Sequence, residues 1–174
     1  MTGAENHESV KSPLSGPAAG PPQGDSTFFG FEADFVDSLR CIPMAVRMRL
    51  DVAGVKLKLN EWSKLGQAER LALAKNPCRA APEIDAYKEG LSRLVEKTSG
   101  SRPSMLLDLP DPVWEDAERI PSQILDQARS LGLDLPASAW SSLSPLQRFA
   151  LSKLSRPGHE NRNFLPAMRE FGLA

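Results

Sequence analysis

Between Ile42 and Leu50 the apolar side chains fall at every second position, at Ile42, Met44, Val46, Met48 and Leu50. Taken alone, that spacing predicts a strand. A second stretch of the same chain changes the reading. Shifted by 78 positions, residues 42–75 align with 120–153 without a gap and with 11 identities in 34 positions, where composition alone supplies about two. The pairs include Ile42-Pro43 with Ile120-Pro121, Gly54 with Gly132, Trp62-Ser63 with Trp140-Ser141, Arg70 with Arg148 and Lys75 with Lys153. In the later copy Ile120, Ile124, Leu125, Ala128 and Leu131 stand at helical spacing. Copies of one unit share a backbone, so both stretches are predicted to be helices.

Proline opens each of these helices and glycine closes it. Pro43 and Pro121 suit the first turn, where a missing N–H costs nothing, and Gly54 and Gly132 suit a C-terminal cap at positive φ. A Trp in a short helical turn follows, and then a new helix start. Ser144-Pro145-Leu146-Gln147 reads as a capping box, with Gly66 and Glu69 in the same two roles in the first copy. The helices opened there are expected to end near Asn76 and Ser155, because Pro77 and Pro157 bar continuation. Further helices are expected from Glu83 to Lys97 and from Glu160 to Phe171. The second copy's first helix is expected to begin near Asp111-Pro112, since Trp114, Ala117 and Ile120 continue its apolar spacing. The predicted fold is all-α: two divergent copies of a helical unit, about 42–97 and 111–171, packed with pseudo-twofold symmetry and joined by 98–110, with no substantial sheet.

Composition adds a boundary. Residues 1–26 hold almost no large apolar side chain and are rich in Pro, Gly and Ser, so a disordered tail is predicted ahead of a single domain over 27–174. The formal net charge of -1 gives no global reason to expect nucleic acid or an anionic membrane as partner. No apolar run approaches the length of a bilayer span, and the first residues show neither a signal-peptide pattern nor a myristoylation site. A soluble cytoplasmic protein is expected. Two cysteines, Cys41 and Cys78, are too few for a disulfide scaffold and lack metal-ligand spacing, which suits a reducing compartment.

Positions shared by the copies are best explained as scaffold, so chemistry is sought where they differ. Arg47, Arg49, Lys56 and Lys58 are matched by Leu125, Gln127, Asp134 and Pro136, and Arg40 precedes the cationic run. Clustered Arg and Lys hold phosphates and carboxylates through charge-assisted hydrogen bonds. The competing reading is a solvated helix face, or one facing the acidic Asp111, Glu115, Asp116 and Glu118. Trp62 and Trp140, being equivalent, are expected in the core. Cys41 stands at a helix start, where a thiolate is favoured, against the alternative of an inert buried thiol. His7 and His159 are not expected to be ligands or catalysts. The chain lacks a phosphate-binding glycine loop, a dinucleotide fingerprint, a nucleophile elbow, a paired-histidine zinc motif and a cysteine quartet. Catalysis is therefore not expected; the alternatives are a small redox or cofactor-handling protein using Cys41 and a helix-turn-helix-like regulator.

Residues 28–65 carry a resemblance. Phe-Glu-Ala-Asp-Phe-Val at Phe31 to Val36, Ser-Leu-Arg-Cys-Ile-Pro-Met at Ser38 to Met44, Gly-Val-Lys-Leu at Gly54 to Leu57 and then Trp62 resemble the opening of the nitrate reductase-associated proteins. The resemblance implies a small cytoplasmic, non-catalytic accessory protein of assimilatory nitrate reductase, linked with molybdopterin supply and without a resident cofactor or metal. Immature nitrate reductase is the expected partner, with a transient contact to molybdopterin. The residues expected to make it are Glu32, Asp34, Arg40, Cys41, Arg47, Arg49, Lys56 and Lys58.

Overall fold

The computed structural model describes residues 27–174, so the expected tail over 1–26 lies outside the described residues. After a 3-10 turn at Gly30–Glu32, the helices are α1 (Ala33–Val36), α2 (Met44–Ala53), α3 (Leu59–Lys64), α4 (Gln67–Lys75) and α5 (Ala81–Ser99). They are followed by α6 (Ser122–Ser130), α7 (Ala137–Ser142), α8 (Pro145–Leu154) and α9 (Phe164–Glu170). The sheet among the described residues is a two-residue antiparallel ladder, β1 (Val55–Lys56) against β2 (Ser104–Met105), with Val55 opposite Met105. The molecule is mostly helical, as its periodicity predicts.

The alternating stretch is helical, and the packing explains why it alternates. Met44 is buried in a cluster with Ile124, Trp140, Phe149 and Phe164, and Met48 packs against that cluster. Val46, Leu50 and Ala53 are buried in a second cluster with Trp62, Leu73, Tyr87 and Leu91. Val52 touches both. Residues four apart share a helix face, so two apolar stripes on opposite sides of one helix interleave in sequence into an apparent period of two. α2 is thus sandwiched, with α4 and α5 on one side and α8 on the other.

Residues that match in sequence make matching local bonds. The Trp62 and Trp140 indole N–H groups donate to Leu39 O at 2.7 Å and Asp116 O at 3.0 Å. Arg70 lies 5.7 Å from the Trp62 ring and Arg148 lies 5.9 Å from that of Trp140. The amides of Gly66 and Ser144 each donate at 2.8 Å, to Glu69 and Gln147, the two capping boxes read from sequence. Gly54 and Gly132 have φ of 67° and 71°, the left-handed conformation for which glycine carries no Cβ penalty.

Three expectations are corrected. The helix expected near Asp111 begins only at Ser122. Over 111–121 the Asp116 carboxylate accepts from the amides of Glu118 and Arg119, a local bond that competes with helix, and Pro121 disfavours the helical region at Ile120. The helix expected from Glu160 breaks into a 3-10 turn, His159–Asn163, followed by α9, with the Asn161 side-chain Nδ2 donating back to Leu154 O at 3.1 Å. Pro43 and Pro121 are caps with extended ψ of 158° and 137° rather than first-turn residues.

Candidate functional site

The first described residues belong to the later half of the chain. Phe29 stacks on Phe31 and meets Phe171 edge-on, with centroids 5.1 Å apart in both pairs. The Glu170 carboxylate accepts from the amides of Gly30 at 2.7 Å and Phe31 at 3.1 Å. The chain then crosses to α2, and Glu32 makes that crossing rigid: its buried carboxylate accepts from Phe29 N at 3.1 Å and Met44 N at 2.8 Å. Burial pushes the Glu32 carboxyl above its ordinary range, opposed by those two amide bonds and by the Arg47 charge.

This crossing walls two cavities that share Cys41, Ile42 and Arg47. The smaller, about 330 Å³, brings together Glu32, Asp34, Arg40, Cys41, Arg47 and, from the other end of the chain, Arg162. The larger, about 740 Å³, has an aliphatic lining that includes Ile42, Leu50, Val55, Leu57 and Leu106. Its charged lining is Arg47, Asp51, Lys56, Lys153 and Arg156, four cations to one carboxylate among the described residues. Lys153 of α8 is ion-paired with Asp51 of α2 across the junction, with both side chains 16% exposed, and its ammonium lies 5.1 Å from the Phe149 ring.

Of the eight residues singled out in the sequence, five therefore line one cavity and Lys56 joins Cys41 and Arg47 in the other. Arg49 and Lys58 line neither cavity. Arg47 and Arg49 are two apart on a helix, about 200° around its axis, so they leave from opposite sides. Arg49 is held there by backbone acceptors, donating to Ala45 O and Asn76 O at 2.7 Å each. Arg47 donates to Ile42 O at 3.1 Å from its place between the cavities. Lys58 is exposed at the cap of α3, where its amide donates to Glu61. Cys41 is half-buried, whereas Cys78 is buried and its thiol, pushed up chiefly by desolvation, donates to Arg49 O at 3.8 Å.

Sequence reasoning missed Lys153, Arg156 and Arg162. Lys153 looked like scaffold because Lys75 matches it, and the other two lie past the aligned segment. Their role at the cavities follows only from the packing of α8 and the turn after it on α2. Of the acidic residues over 111–118, Asp116 pairs with Arg119 of its own loop.

Among the described residues no group of three or more His, Cys, Asp and Glu is placed to hold a metal ion, and no helix is long and apolar enough to cross a membrane. The arrangement offers adjoining basic, partly apolar recesses suited to holding an anionic group by charge-assisted hydrogen bonds. No curated protein and no solved structure matches the chain. The family described as conserved nitrate reductase-associated protein matches residues 28–171, which takes in both cavities and every helix above. The chain belongs to the conserved nitrate reductase-associated protein family.

Proposed function

We propose that this protein is a non-catalytic, cytoplasmic accessory protein of assimilatory nitrate reductase, which assists maturation or molybdopterin loading through protein–protein contact. The observation that carries the reading is the meeting of the motif residues Asp34, Arg40 and Cys41 with the unrepeated cation Arg47 at one recess instead of their dispersal through the core. Cationic groups around a recess suit a phosphate or carboxylate of the partner or its cofactor. The matching local bonds of the Trp62 and Trp140 regions support a companion proposal, that the two halves descend from one helical unit and pack about a pseudo-twofold axis. In that history the earlier copy kept its scaffold and acquired the charged face.

A deletion strain tests the function, with reductase transcript, reductase polypeptide, its molybdenum content and its activity measured together. The expected result is unchanged transcript and polypeptide with lowered molybdenum content and activity. Normal activity on nitrate rejects the role, and a fall in transcript moves the reading to a regulator. A second reading, thiol chemistry at Cys41, is favoured by the position of that half-buried side chain on both cavity walls. Cys41→Ser separates the two: an accessory contact survives it, whereas thiol chemistry is abolished with fold and binding intact.

A further inference from the structure

Large apolar side chains left in water are unevenly spread over this molecule. Leu59 is 57% exposed, Met105 43%, Leu107 100% and Leu109 67%. The other such residues among those described, Leu71 and Leu131, lie elsewhere at 37% and 41%. Leu59 lines the larger cavity, and the other three belong to a strap, residues 105–109, whose Leu106 lines it too. Met105 and Leu107 flank Leu106 in sequence, and Leu109 lies against Gly54, where its Cδ2 stands 2.8 Å from the position a Cβ would take. The strap is anchored, since Leu106 N donates to Gly54 O at 2.8 Å and Met105 pairs with Val55. The strap is thus tied to the cavity wall at Met105 and Leu106.

Charge accompanies these apolar residues. Lys56 and Arg156 line the cavity and Lys58 stands beside it in sequence; all three are exposed and none has a side-chain hydrogen bond or ion pair among the described residues. Asp108 is the carboxylate within the leucine strap. Clustered exposed apolar area rimmed by charge marks a protein-binding surface rather than an ordinary solvated face. A small ligand would need the cavity but gives no reason for a fully exposed Leu107.

We propose that this face, from Leu59 across the cavity mouth to Leu109, docks an acidic segment of a partner polypeptide that carries bulky apolar residues. The apolar residues enter the aliphatic recess and lie on the leucine strap, and the carboxylates meet Lys56, Lys58 and Arg156. The identity of the partner, though not the chemistry of the surface, rests on the accessory reading above.

The test uses the full chain and a fluorescein-labelled peptide of five Glu-Leu repeats, with Lys-Leu and Glu-Ser peptides of the same length as controls, read by fluorescence anisotropy. Saturable one-to-one binding of the Glu-Leu peptide is expected, with both controls at least about tenfold weaker, since each lacks either the charge or the apolar contact. Lys56→Glu with Arg156→Glu, and separately Leu59→Ser with Leu107→Ser, should each weaken it by about tenfold or more, with unchanged circular dichroism because all four residues are exposed. Lys75→Glu, which lies on neither cavity, should bind as the parent does. Equal binding of the three peptides, or indifference to both double variants, overturns the proposal. The same variants are then tried against purified nitrate reductase apoprotein. Loss of reductase binding in both double variants supports the full assignment. Reductase bound equally by parent and variants removes this surface and leaves the accessory role, whereas peptide recognition without any reductase binding keeps the surface and removes that partner.

Discussion

Glu32 is 2% exposed, and its two oxygens hold the amides of Phe29, three residues before it, and Met44, twelve residues after it. Glu32→Ala leaves both amides buried without an acceptor and is expected to cost about 2–4 kcal/mol in urea unfolding at neutral pH. The pH dependence has a definite sign. Because burial outweighs the amide bonds and lifts the folded value above 4.5, the stability tied to Glu32 is fully present below pH 4.5 and is lost as pH rises through the folded value. Glu32→Gln carries no such charge, so its stability relative to the parent should improve on going from about pH 4.5 to pH 7. A constant difference across that range would show that the carboxylate is not strained by its burial. The Glu32 side chain acts on the recess by fixing the backbone of the preceding turn and the start of α2.

At the scale of elements, the two Trp-centred turns are built alike but buried differently. Arg148 is 5% exposed and donates to Trp114 O at 2.7 Å and Leu143 O at 2.6 Å; desolvation pushes its guanidinium down. Arg70 is only half-buried and donates to Trp62 O, Leu39 O and Ser63 O. Arg148→Ala should cost about 2–4 kcal/mol and Arg70→Ala about 1 kcal/mol, since water replaces the partners of the second but not of the first. Arg148→Lys should recover little, because an ammonium lacks the planar fork that spans the two carbonyls. Thermal melts of the three variants decide it. These turns were legible in the chain because their signals are local: Ser144 with Gln147 and Gly54 at a helix end act within a few residues. The stretch 111–121 was not, for Trp114, Ala117 and Ile120 fit a helix by spacing while the short Asp116 side chain captures the amides a helix would use. The site was half legible for a related reason. Adjacent motif residues such as Arg40 and Cys41 stay together in any fold, but the arrival of Lys153 and Arg156 depends on how α8 docks on α2. The separation of Arg47 from Arg49 could have been anticipated from helical geometry alone.

For the whole molecule, the decisive feature is that α2 supplies buried side chains to both apolar clusters. Truncating it on either side should loosen both halves together. Val46→Ala faces the cluster of α5, Met44→Ala faces that of α8, and each is expected to cost about 1.5–4 kcal/mol. Hydrogen exchange read by mass spectrometry should show amides of α5 and α8 opening with one common free energy in both variants. Faster exchange confined to the truncated side would mean that the halves unfold separately. A piece of the chain comprising residues 27–100 would keep this helix yet leave Met44, Met48 and Val52 without the wall they press on. Such a fragment has no solvent-compatible way to present that seam, and its expected state is a self-associated one, each molecule covering the other's bare flank.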